Sequence, residues 1–239
     1  MYPTQILKKT QSKLRLSLDI KNVDSLFPGF MIGDFAVLQG SSTVQSLLPT
    51  ICVKAQLPYQ FGGLETNVLF IDGANSFRLY EISEIAQHWE LDPKQVLEKI
   101  FVSRAFTVYQ LVSLVLDKLQ SAIKKYDSKV LILSNLVYLF LDNDVPKKEA
   151  EEIFKQVINY LSSFAEKNQI ILIATHKPCL WSKRTKFFRQ TLCESANVVG
   201  SIKKSNQIPY FILEKHPFLQ LGKVEFLSSN KCTLLDFVK

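Results

Sequence analysis

Short apolar segments recur along the chain at residues 35–39, 67–72, 100–104, 129–134 and 169–175. Three of them, VLFID, VLILS and IILIAT, are nearly unbroken apolar runs, the pattern of strands buried on both faces. Helical periodicity covers about 43–57, 77–99, 107–126 and 147–167 between them. In the last of these, Ile153, Val157, Tyr160, Leu161 and Phe164 share one face, while Lys148, Glu151, Glu152, Lys155 and Glu166 lie away from it. Strand–helix alternation predicts an α/β fold: a mostly parallel central sheet with helices on both faces. After Thr175 the pattern changes. A basic, aromatic-bearing stretch over 178–191 reads as a loop, and segments 197–203, 208–214 and 223–227 read as antiparallel strands closing the sheet.

At 239 residues and 47% hydrophobic content the chain can bury one large core, and no linker-like stretch divides it. The expected organisation is a basic tail over 1–15 and a single core domain over 16–239. No apolar run approaches the roughly 18 residues of a membrane span, and no apolar signal core follows the first lysines, so a soluble cytoplasmic protein is expected. Cys52, Cys179, Cys193 and Cys232 are scattered without a C-x-x-C pair, which points to reduced thiols. His176 and Cys179 lack a second pair of ligands, so no metal site is expected there.

The charge of +7 is unevenly spread. Residues 1–21 carry +4 and residues 177–204 carry +6, leaving −3 for the rest. Such clusters suit a polyanion, because each phosphate neutralised releases condensed counterions; a solvated basic loop is the alternative.

The segment VLQGSSTVQSLL, Val37 to Leu48, has the strand–turn–helix layout of a phosphate-binding loop, G-x-x-x-x-G-K-[ST], without its lysine. The small residues Gly40, Ser41, Ser42 and Thr43 form the expected turn, with a helix from about Gln45 to Gln56. Aligned back from Gln56-Leu57-Pro58, Leu38 and Thr43 fall at the two glycines, Val44 at the lysine and Gln45 at the Mg²⁺-binding hydroxyl.

The block GGLETNVLFIDGANSFRLYEISEIAQHWELDPKQVLEKIFVSRAF, Gly62 to Phe106, closely resembles the ATPase core of the RadA/RadB recombinases, the archaeal branch of the RecA superfamily. ILEKHPF, Ile212 to Phe218, resembles the C-terminal strand and turn of RadB, and the resemblance spans about residues 16–237. It implies a RecA-like core without the helix-hairpin-helix domain of RadA. It also implies that the family's catalytic glutamate falls at Ala74, the metal-binding aspartate at Ser134, and the γ-phosphate sensor at Thr175-His176-Lys177, with Lys177 where a glutamine is usual. Phosphoryl transfer rests on positioning and charge stabilisation, so losing lysine, metal ligands and base together implies a pseudo-ATPase with neither ATP nor Mg²⁺ as cofactor. The alternative is a DNA-stimulated ATPase using Lys177 in a rearranged site.

The same resemblance places a DNA-binding loop at Pro178 to Cys193. There Lys183, Arg184, Lys186 and Arg189 can meet phosphates, and Trp181, Phe187 and Phe188 can stack on unpaired bases of single-stranded DNA. The other reading makes the aromatics core anchors. Lys8, Lys9, Lys13 and Arg15 form either a DNA-contacting arm or a solvated terminus. Finally, the resemblance implies a small apolar socket for a recombinase linker at Ser103, Ala105, Leu111 and Leu114, although small residues there also serve strand–helix packing. The function expected is that of a catalytically inactive paralog, DNA-binding and nucleoid-associated, that assists or modulates homologous recombination and DNA repair. A protein-interaction adaptor without DNA affinity is the further alternative.

Overall fold

The computed structural model describes residues 14–40, 42–177, 183–206 and 208–226. Eight strands form the main sheet: β3 (Phe35–Gly40), β4 (Asn67–Asp72), β5 (Ile100–Arg104), β6 (Ser128–Ser134), β7 (Ile171–His176), β8 (Val198–Ser205), β9 (Ile208–Lys215) and β10 (Gly222–Glu225). Their spatial order is β10-β9-β8-β3-β7-β6-β4-β5. Every pairing from β8 through β3 to β5 is parallel, and β8, β9 and β10 pair antiparallel. The mixed sheet with antiparallel C-terminal strands agrees with the expected architecture. A two-stranded ribbon, β1 (Arg15–Leu16) with β2 (Phe30–Met31), precedes it and flanks α1 (Lys21–Leu26).

Side-chain alternation sends each central strand's residues to two separate cores. Ala36, Leu38, Val68, Phe70, Val130, Ile132, Ile171 and Ile173 enter one, which holds α2 (Ser42–Lys54), α3 (Leu79–His88) and α4 (Pro93–Glu98). Phe35, Val37, Leu69, Ile71, Leu131, Leu133, Leu172 and Ala174 enter the other. That second core holds α5 (Val108–Val112), α6 (Leu119–Tyr126), α7 (Lys147–Asn168) and α8 (Lys183–Ser195). The apolar runs are therefore two interleaved faces, each covered by helices.

Three helix boundaries differ from the sequence reading. The long helix expected over 77–99 is broken: Glu90 adopts φ of 56°, and Asp92 caps α4 by accepting from the Lys94 N–H, with Pro93 in its first turn. The helix expected over 107–126 starts at a Thr107 cap but passes through a π-helical turn, Ser113–Lys118, between α5 and α6. The stretch expected to be a loop after residue 182 is α8. Its buried stripe is only Thr185, Phe188 and Leu192, too sparse to stand out amid eight polar or charged neighbours of mixed kind.

Candidate functional site

At the C-terminal end of the parallel strands, the alternation that builds the two cores also sorts the polar residues. Asp72, Ser134 and Thr175 continue the face that packs on α2, whereas Gln39 and His176 continue the face that packs on α8. Because β7, β6 and β4 are neighbours, the first three side chains stand side by side opposite Gln45.

Gln45 is buried in the first turns of α2 and binds across this row. Its Nε2 donates to Asn135 Oδ1 at 3.0 Å and to Thr175 Oγ1 at 3.1 Å, and its Oε1 accepts from Ser134 Oγ at 3.1 Å. The Asn135 N–H also donates to Thr175 Oγ1 at 2.9 Å, and the Ser134 and Ser76 hydroxyl oxygens stand in contact. Asp72, fully buried, accepts from the backbone N–H groups of Ala74, Ser76 and Phe77 and from the Ser76 hydroxyl at 2.8–3.2 Å. Its carboxylate thus holds the turn after β4 and has its lone pairs engaged within the chain.

The turn between β3 and α2 is tighter than the expected phosphate-binding loop. Strand β3 runs to Gly40 and α2 begins at Ser42, so Ser42 and Thr43 are helical rather than part of a turn; Ser41 lies outside the described residues. A Cβ on Gly40 would come 2.6 Å from the Ile202 carbonyl oxygen and 2.8 Å from Val44 Cγ2. Only glycine permits this approach. Val44, at the lysine position, is buried in the core rather than turned toward a ligand. Among the described residues, no group of three or more His, Cys, Asp or Glu side chains is placed to hold a metal ion.

Beside this cluster lies a cavity of about 420 Å³ lined by residues including Gln45, Ala74, Ser76, Arg78, Asn135, Tyr138, Leu141, His176 and Lys177. Ala74 and Lys177, two of the sequence-predicted positions, meet here. His176 is 3% exposed, and its Nε2 has no hydrogen-bond partner. Burial, reinforced by the nearby Arg189 guanidinium, lowers its pKa to about 4, so the imidazole is neutral at physiological pH. Lys177 is exposed, and one Arg78 nitrogen, Nη1, binds Glu81 at 2.6 Å.

Most of the residues assigned to DNA on α8 have structural partners. Phe188 is fully buried and packs edge-on against Phe154, 4.9 Å between ring centroids, and against Phe140. Phe187 is half-buried with Lys155 over its ring. Arg184 donates to the carbonyls of Phe140, Asp142 and Val145, and so ties α8 to the loop after β6. Arg189 donates to Gln39 Oε1 at 2.7 Å and lies 3.9 Å from Glu214. Neither stacking by Phe188 nor phosphate contact by Arg184 or Arg189 fits this arrangement, because each is already committed to packing or to carbonyl and carboxylate partners. Lys183 and Lys186 point to solvent; Trp181 lies outside the described residues, as do Lys8, Lys9 and Lys13.

The partner socket divides similarly. Among the described residues, β5 pairs only with β4, which leaves its outer edge uncovered by them, and Val102, Ser103 and Arg104 are exposed. Ala105 and Leu111 are buried in the second core, and Leu114 is half-buried beside it. Phe106 and Tyr109, exposed at 69% and 56%, are the apolar surface here that the sequence reading passed over.

A mostly parallel sheet, a strand–helix junction at β3–α2 and polar strand ends facing that helix define a RecA-like core. The family model described as Rad51 matches residues 10–186. The chain belongs to the Rad51 family, whose members act in recombination and repair and bind DNA and other recombinases. No helix among the described residues is long and apolar enough to cross a membrane.

Proposed function

We propose that this chain is a catalytically inactive RadA/RadB-like paralog that serves recombination as a DNA-binding accessory, with neither ATP nor Mg²⁺ as a cofactor. The observation that carries this reading is the closed Gln45–Ser134–Asn135–Thr175 cluster at the end of the parallel strands. Neutral amides and hydroxyls that satisfy one another offer a divalent ion no charge to replace its hydration shell. Buried Val44 and the small side chain of Ala74 supply neither phosphate charge nor a base for water. The test is phosphate release from Mg²⁺-ATP with and without single-stranded DNA, expected at the level of the protein-free blank. DNA-stimulated release that disappears in Lys177→Ala would instead establish the rearranged ATPase.

Lys177, Lys183 and Lys186, all exposed, support the DNA-binding half of the reading. Binding to single-stranded DNA should weaken steeply as salt rises, since phosphate contacts release counterions. An adaptor without DNA affinity would show no binding at low salt.

The outer edge of β5, uncovered among the described residues, supports docking of a recombinase. Ala105→Glu is a poor probe because it buries a charge in the core. Phe106→Glu alters the exposed surface, and it should abolish capture of a RadA-type recombinase while leaving the unfolding midpoint within measurement error.

A further inference from the structure

The cavity beside the closed cluster has the composition of a small-molecule or residue-sized site, in the lower part of the roughly 300–1,000 Å³ range of ligand pockets. Its lining includes the neutral polar residues Asn135, Ser76 and His176. Tyr138 and Leu141 give it apolar walls, and among the described residues no carboxylate lines it. Its cations, Arg78 and Lys177, are half-buried and exposed respectively, both more exposed than Asn135. His176 lines it with Nε2 buried away from solvent. Tyr138, which lines the cavity, is 61% exposed. Aromatic rings beside cations form a platform for unpaired bases.

We propose that this cavity takes one unstacked nucleotide of a single DNA strand. The base packs on Tyr138 and Leu141 and presents its hydrogen-bonding edge to the Asn135 amide, while the flanking phosphates meet Lys177 and Arg78. A buried neutral Asn135 with the cations more exposed favours a base over a phosphate as the buried part. Asn135 Oδ1 is already engaged by Gln45, so its amide N–H groups are what remain for the base. This rests on the DNA-binding reading above and assigns it a base-accepting pocket.

The test compares an oligothymidylate with an abasic strand of the same length and charge, by fluorescence anisotropy at fixed low salt, for wild type and two variants. Ala74→Leu fills the cavity from a half-exposed position, and Tyr138→Ala removes an exposed wall without touching either core. Wild type should prefer the thymidylate by about tenfold or more, as one stacked base contributes. Each variant should reduce that ratio several-fold while its affinity for the abasic strand stays as in wild type. A single 2-aminopurine in the strand should change its emission on wild type and not on Ala74→Leu. A ratio unchanged in both folded variants overturns the pocket and leaves DNA binding standing. Failure of wild type to bind either strand overturns the DNA-binding reading and the pocket with it.

Discussion

The two faces of the sheet end at the same edge in opposite states. Toward α2, Asp72, Ser134 and Thr175 are engaged by the chain itself, and Gln45 spans the row. Toward α8, His176 carries the one buried side-chain polar atom without a partner among the described residues, with exposed Lys177 next to it. A site that binds must keep groups whose hydrogen bonds are completed by the ligand. Under the proposed function, the row toward α2 is closed by its own hydrogen bonds, and the adjoining cavity is where a ligand is to be sought.

The contrast can be broken from either side. Removing the helix that walls the second face should have the largest effect: Phe188→Ala empties a fully buried aromatic site and should cost about 3–5 kcal/mol in urea denaturation. An undiminished midpoint would mean that α8 is not docked as described, and would return its aromatics to the surface. On the first face, Asp72→Asn replaces a carboxylate oxygen by an amide donor aimed at backbone N–H groups. A loss of about 2–3 kcal/mol is expected from hydrogen bonds to a charged acceptor.

Proton linkage sharpens the comparison further. The unfolded chain binds a proton on His176 near pH 6.5, whereas the folded chain does so only near 4. Its contribution is therefore complete above pH 6.5 and is lost as pH falls toward 4. Asp24 acts in reverse. Burial raises its carboxyl from 3.8 to about 6, against hydrogen bonds from the Leu18 and Ile20 N–H groups, so its contribution is complete below pH 3.8 and is lost as pH rises through 6. Between pH 4 and 6 the two slopes oppose. Asp24→Asn should make stability climb more steeply with pH in that window, and His176→Gln should make it fall, measured as urea midpoints at half-unit steps.

The smallest effect expected is on DNA. Lys183→Glu with Lys186→Glu should lower single-strand affinity and flatten the log–log salt slope by about one for each phosphate no longer neutralised. Arg184→Ala should mainly lower stability, since its guanidinium is spent on three carbonyls. A salt slope unmoved by the lysine pair would exclude that face of α8 as the DNA-binding surface.

The strands were legible because VLFID, VLILS and IILIAT are buried on both sides, which leaves no polar alternation to confuse them. The break at Glu90–Asp92 was less visible, although Asp92-Pro93 is a capping signal. Helix α8 was misread for a physical reason. Phe187 and Phe188 between basic residues look the same whether the rings stack on bases or fill a core, and only the position of Phe140 and Phe154 decides.

By itself the sequence determined the α/β alternation, the absence of a lysine at the phosphate-binding turn, and the small or neutral residues at 74 and 134, because these are matters of residue type and spacing. Only the tertiary structure decided what those residues do instead. Gln45, Ser134, Asn135 and Thr175 lie up to 130 residues apart and become one hydrogen-bonded cluster because parallel pairing brings the ends of β6 and β7 under the start of α2. Whether a polar group is satisfied or waiting for a ligand depends on such distant neighbours, and local sequence does not contain them.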